Sequence, residues 1–204
     1  MDIIPHLEER FGEHRVSVLP AQGADDIDLI RLDLEVRFPV TVVMTYGLSN
    51  YNMNVPEKWS GRNHNELYFC LPSYWDWNRL NDEKFAWPFT WLQKLVKHVV
   101  DNETWYGPGH TFENGNPPQH LSSTMHSDHL ILVDPILLED YLLPLETPEK
   151  TVHFLGVTPI FENEFDFKMA KGYHKFIRKY RGSNGTELID DFRESVLKKR
   201  FRFF

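Results

Sequence analysis

Residues 31–38, RLDLEVRF, alternate without a break: Leu32, Leu34, Val36 and Phe38 point one way, Arg31, Asp33, Glu35 and Arg37 the other. This period of two predicts a half-buried strand. Pro39 interrupts the ladder, and VTVVMTYG then runs almost continuously apolar to Gly47, as in a strand nearer the middle of a sheet. NELYFCLP (65–72), HLILVDP (129–135) and TVHFLGVTPI (151–160) are further apolar or β-branched runs, each closing at a proline.

Elsewhere the period lengthens to three and four. Ile3, Ile4, Leu7 and Phe11 share one helical face, with Gly12 as a stop. Phe89, Leu92, Leu95, Val96 and Val99 predict a helix over about 86–100, with Pro88 in its first turn. In FENEFDFKMAKGYHKFIRKY, Phe165, Met169, Tyr173, Phe176, Ile177 and Tyr180 form one stripe. Asn163 is placed to cap this helix, Glu162, Glu164 and Asp166 suit its positive end, and Lys175, Arg178, Lys179 and Arg181 its negative end. GSNG breaks it, and Thr186 opens a last helix bearing Leu188, Ile189, Phe192 and Val196, so that 163–204 is a helical extension. Strands in mid-chain with helices at both ends predict one α+β domain over 1–204, a mixed or antiparallel sheet flanked by helices.

Composition adds limits. The chain is 41% hydrophobic and 25% charged, an ordinary globular balance, and its 14% aromatic content is high. Cys70 is the one cysteine, which excludes an internal disulfide and a cysteine zinc cluster. The first residues, MDIIPHLEERFGEH, lack the basic start and apolar run of a secretory signal, and no stretch approaches the roughly 20 apolar residues of a membrane span. A cytoplasmic protein is the expectation. Net charge is −8, but residues 168–204 hold 11 Lys or Arg against 4 Asp or Glu, leaving 11 basic and 26 acidic residues in 1–167. A body this acidic disfavours nucleic acid and anionic membranes and attracts basic proteins by long-range steering. The terminal KKRFRFF mixes cations and aromatics, and packing onto the domain or onto a partner is its expected use.

Candidate chemistry is sparse. His110, His126, Asp128 and His129 are metal-ligand types, yet on a strand His126 and Asp128 would share a face that His129 does not, so they do not converge locally. There is no Gly-x-Ser-x-Gly elbow, no phosphate loop and no His-Glu-x-x-His, and Cys70 sits in an apolar run that disfavours a thiolate. No catalytic residue, metal or cofactor is assigned. The alternative from the enzyme class is a metal-dependent hydrolase built on that His/Asp group; a scaffold subunit using the aromatic C-terminus is another. In WYGPGHTFENGNPP (105–118), Gly107, Gly109 and Gly115 permit positive φ and Pro108, Pro117 and Pro118 fix it. The loop is stiff, and Trp105, Tyr106 and Phe112 are placed to cover one end of the core. Tyr46, Asn50, Tyr51, Asn52 and Trp59 follow a strand end in a polar loop; with Trp105 and His110 they are the candidate protein-binding residues.

YGLSN, NELYFCLP, the Trp87–Pro88 pair before a helix, NETWYGPGHT and TPIFENE, in that order over about 40–165, resemble the Suppressor of fused family in its compact bacterial form. The resemblance implies a non-catalytic α+β domain that binds protein. The animal relative sequesters a transcription factor, gripping an extended peptide between this type of domain and a second one. Bacterial relatives resemble immunity proteins of polymorphic toxin systems, which would make the partner a toxin domain, and the acidic body suits a basic one such as a nuclease.

Overall fold

In the computed structural model, which describes residues 2–197, alternation sorts the strands onto two faces. Strand β1 (Val16–Leu19) pairs with β2 (Leu29–Glu35), which turns Ile30, Leu32 and Leu34 to one core and Leu29 to the other. Val36 still packs against the first of these cores, and the expected inward run fails only at Phe38. Residues 36–38 are a tight connection in which the Val36 N–H donates to the Phe38 C=O, Phe38 is exposed, and Pro39 opens β3 (Pro39–Thr45) opposite Glu35. A proline at the first position of a strand removes little from the ladder. Strand β4 (His64–Pro72) is buried along nearly its whole length, as its unbroken apolar run requires.

The remaining strands are β5 (Thr111–Glu113), β6 (His129–Val133), β7 (Leu145–Glu146) and β8 (Thr151–Ile160). The sheet is mixed, in the order β1-β2-β3-β4-β8-β6-β5, with β7 paired to the start of β8 and with β4 and β8 parallel. Helix α1 (Ile4–Phe11) covers one face with residues 138–145; α3 (Glu162–Lys171) and α4 (Tyr173–Gly182) lie beside them. The other face packs on α2 (Glu83–Asp101), whose Phe85, Trp87, Leu92, Leu95, Val96 and Val99 point into the larger core. The α+β architecture expected from the sequence is the one observed. No helix among the described residues is long and apolar enough to cross a membrane.

Helix boundaries differ from the expectation in instructive ways. α2 begins at Glu83 because the Asp82 carboxylate accepts from the Lys84 N–H at 3.0 Å. Pro88 therefore lies in its second turn, and the Thr90 hydroxyl bonds back to the Ala86 C=O at 3.3 Å. The single stripe expected over 161–180 is broken at Gly172 (φ 84°) into α3 and α4, which leaves Met169 62% exposed. Asn163 is not the cap: the chain enters α3 at Phe161, and the Asn163 side chain accepts from the Ser195 hydroxyl.

The helix expected after Thr186 does not form. β4 and β8 pair only over His64–Tyr68 and Val152–Gly156, then separate, and the chain after Gly185 enters the gap. There the Ile189 N–H donates to the Cys70 C=O at 2.9 Å, while Leu188 joins one core and Ile189 the other. Neighbouring residues that must face opposite sides call for an extended backbone. Phe192, expected on a buried helical stripe, is 85% exposed. The KKRFRFF segment lies outside the described residues.

Candidate protein-interaction surface

At one end of the sheet three connections meet, because β3 ends there, β4 and β8 start there, and β6 ends beside the start of β5. These are residues 46–63, 104–110 and 134–150.

The first is held by a buried carboxylate. Glu66 of β4 is fully enclosed and accepts from the Thr45 hydroxyl and from the N–H groups of Gly47 (3.1 Å) and Ser49 (3.0 Å). Burial raises its pKa, and these hydrogen bonds work against the rise. The Lys150 ammonium donates to the Ser49 C=O at 2.7 Å and to the Asn50 side chain at 2.9 Å. Gly47, at φ 107°, makes the turn that an L side chain would resist.

The second connection is stapled to both neighbours. The Gly109 N–H donates to the Leu132 C=O at 2.7 Å and the Leu132 N–H returns to His110 at 2.8 Å, so the loop extends the β5–β6 ladder. The buried Tyr106 hydroxyl donates to the Leu95 C=O of α2 at 2.8 Å. Gly109 has φ 93°, and a Cβ there would lie 2.8 Å from the Tyr173 ring. Trp105, Tyr106 and Phe112 do pack against the larger core, as the sequence suggested.

The seven expected contact residues fall into separate groups. Trp59 and Trp105 have ring centroids 6.0 Å apart, His110 lies 4.3 Å from Trp105, and the Arg62 guanidinium sits 5.6 Å from the Trp59 ring while bridging Asp134. Tyr46 and Asn50 instead border a recess of about 520 Å³ shared with Asp2, Asp26 and Asp28, and the Tyr46 hydroxyl donates to Asp2 at 2.9 Å. Tyr51 packs against the core and Asn52 is exposed. Sequence reasoning missed Arg62, Lys150 and Lys168. Their distant partners mark them: Asp134 for Arg62, Ser49 and Asn50 for Lys150, and Thr111 for Lys168.

The His/Asp group is not gathered. His110 sits beside Leu132 at the end of β6, whereas His129 begins that strand, on the order of 10 Å away by strand rise. His129 and Asp128 do touch, Nδ1 to carboxylate at 2.8 Å, because strand alternation begins only at His129. His129 also stacks on Phe165, and His126 lies against His120. Among the described residues no three potential ligands converge. Burial, with a smaller push from Glu187, raises the Cys70 thiol well above its usual range.

Residues 23–194 match the family model described as Suppressor of fused protein (SUFU), a wider span than the 40–165 carried by motifs. By structure the chain is similar to a protein of the Sufu–Fu complex crystal structure, with TM-score 0.70 and 17% identity over 96% of this chain and 91% of that one. It is also similar to Drosophila Suppressor of Fused, with TM-score 0.68 and 18% identity over 97% of this chain and 51% of that one, and so spans about half of the Drosophila chain. A protein described as a SUFU homologue from Neisseria gonorrhoeae FA 1090 has TM-score 0.61 and 13% identity over 97% of this chain and 96% of that one. At these identities the likenesses establish the fold. No curated protein matches the sequence.

Proposed function

The chain belongs to the Suppressor of fused family, and from that premise we propose that it is a non-catalytic binding protein, an immunity protein that neutralises a basic toxin domain by covering it. The observation that carries this reading is the recess where Asp2, Asp26 and Asp28 surround Tyr46 and Asn50, with no Lys or Arg in its lining. Three carboxylates beside an aromatic ring present both the field that steers a basic partner and an apolar contact to seat it. The Trp59–Trp105–His110 cluster lies at the same end of the sheet and enlarges the surface that contact can use. A complex is described for the relative in the Sufu–Fu structure, which favours binding over turnover here.

The test is a search of the reading frames beside its gene for a basic toxin domain, whose absence counts against the immunity role, and titration of the purified protein with any such domain, at low and high salt, together with that domain's own activity. We expect inhibition, binding that weakens with salt, and about a tenfold loss of affinity in the Asp26→Lys, Asp28→Lys double variant. Absence of inhibition overturns the immunity role. Salt-insensitive binding that ignores the double variant overturns the acidic recess as the contact.

A further inference from the structure

One outer surface of the molecule is divided by charge. α1, residues 136–144 and α4 lie side by side over the same face of the sheet: Ile3 and Leu7 of α1 share a core with Leu138 and Leu142, and α4 packs Phe176 and Tyr180 on Ile131 and Val133 of β6. Two arginines tie the three together. Arg10 of α1 donates to the Leu143 C=O at 2.7 Å, and Arg181 of α4 pairs with Glu139 at 2.6 Å. The 136–144 strip is therefore the middle of a continuous surface, and Leu143 stands out of it 53% exposed, next to the exposed Pro144.

The two flanks of that strip differ in sign. α4 has no Asp or Glu, and its exposed Lys175, Arg178 and Lys179 make no ion pair among the described residues. Lys175 and Lys179, four apart, are a like-charge pair that weakens a helix left to itself. On the other flank, Glu8 and Glu9 of α1 and Glu13 just after it make no ion pair among the described residues either, while Arg10 is spent on its carbonyl. A surface that is acidic on one side, basic on the other and apolar at its centre is complementary to itself when turned over.

We infer that this surface is where two copies of the chain associate, about a two-fold axis lying in the surface along the 136–144 strip, so that α1 of each copy faces α4 of the other and Leu143 meets its own counterpart. Each ionic contact then occurs twice, and the two leucines form an apolar centre inside a polar rim. The net charge of −8 on each copy opposes the approach. At physiological salt that repulsion is screened beyond about 8 Å, so the charges brought into contact decide the outcome.

Sedimentation equilibrium of the full chain tests this. Expected is a monomer–dimer equilibrium that weakens as salt is raised. The Glu9→Lys, Glu13→Lys variant and the Lys175→Glu, Arg178→Glu variant each dimerise about tenfold more weakly or worse, since every reversal acts at both contacts. An equimolar mixture of the two restores a dimer, because the reversed α1 flank of one meets the reversed α4 of the other on both sides. Leu143→Cys is expected to give a disulfide-linked dimer under a mild oxidant, with the buried Cys70 taking no part, and this readout stands even where a charge variant does not fold. A chain that stays monomeric at all concentrations, or a dimer indifferent to both reversals, overturns the inference. Folded variants that do not recover association on mixing overturn the pairing of α1 with α4. A monomeric wild type that binds anionic vesicles or DNA through α4 overturns the second copy as occupant. The Asp26→Lys, Asp28→Lys variant is expected to dimerise as the wild type does, so this result and that of the immunity reading are separable.

Discussion

The Arg193 guanidinium grips both carboxylate oxygens of Glu164, each at 2.7 Å, with Glu164 wholly enclosed at the start of α3. Glu164 also accepts from the Phe161 and Val196 N–H groups, and Arg193 donates to the Pro159 C=O and lies over the Phe161 and Tyr180 rings. This pair fastens the C-terminal segment to the end of β8. Removing one member leaves the other charge buried without its partner, so Arg193→Met or Glu164→Gln is expected to lower unfolding free energy by about 3–5 kcal/mol in urea denaturation. A loss below about 1 kcal/mol for both shows the segment is not locked by this pair.

A second anchor lies deeper in the same segment. Glu187 accepts from the Ile136, Leu137 and Leu138 N–H groups at 2.9–3.1 Å and from the Tyr68 hydroxyl at 3.0 Å. Glu187→Ala orphans those buried donors and is expected to destabilise by several kcal/mol, whereas Tyr68→Phe leaves the amides paired and is expected to remove only about 1 kcal/mol. Chemical denaturation of both variants checks the order; a reversed order contradicts the assignment of Glu187 as the hub.

Cys70 reports on this region. It is buried within the core that α1 covers, its C=O is taken by Ile189, and its thiol is pushed up by burial. A thiol-specific maleimide is expected to label the native protein only slowly, through opened states; Glu187→Ala raises the labelling rate about tenfold for each ~1.4 kcal/mol of stability lost. Rapid labelling of the native wild type refutes the enclosure.

Gly109 and Gly172 both have positive φ, but only Gly109 has a neighbour, Tyr173, where a Cβ would sit. Gly172, at φ 84° and ψ 158°, occupies a region almost confined to glycine, and Gly172→Ala is expected to cost about 1–3 kcal/mol from backbone conformation alone. Gly109→Ala adds overpacking of about 1–3 kcal/mol and displaces the Trp105–His110 pair, visible as a change in tryptophan fluorescence. Equal destabilisation of the two variants speaks against the close approach.

His110 and His153 both have pKa values lowered chiefly by burial. Lys168 adds to this at His110 and a hydrogen bond with the Trp105 backbone opposes it; at His153, Arg62 adds while the Gly61 C=O and Asp134 oppose. A base held neutral in the fold binds fewer protons than in the unfolded chain, so its stabilisation is present above the unfolded pKa, about 6.5, and is lost as pH falls through the folded value. Glu66 works the other way: with its pKa raised, its contribution grows as pH falls. The difference between wild type and His110→Gln, His153→Gln isolates the histidines, and the wild type is expected to lose more stability than the variant on going from neutral to acid. Parallel pH profiles remove the histidines as the cause.

Patterns that depend on near neighbours were legible in the chain. RLDLEVRF and NELYFCLP announced strands, and the glycines and prolines of 105–118 announced turns, though between them lies the strand β5, where the sequence predicted loop. The two faces of the sheet follow from alternation, which is a property of the backbone at each residue. The fate of 186–197 was different. Its apolar spacing fits a helix, and that helix is absent because β4 and β8 diverge beyond Tyr68 and Gly156, opening a slot that an extended segment fills. Glu164 and Glu187 read as ordinary surface carboxylates until distant donors enclose them, and Lys168 reads as one more helix lysine until β5 and the 104–110 loop fold against it. Local periodicity is written in consecutive residues; burial and ion pairing arise from groups tens of residues apart whose meeting depends on the finished sheet.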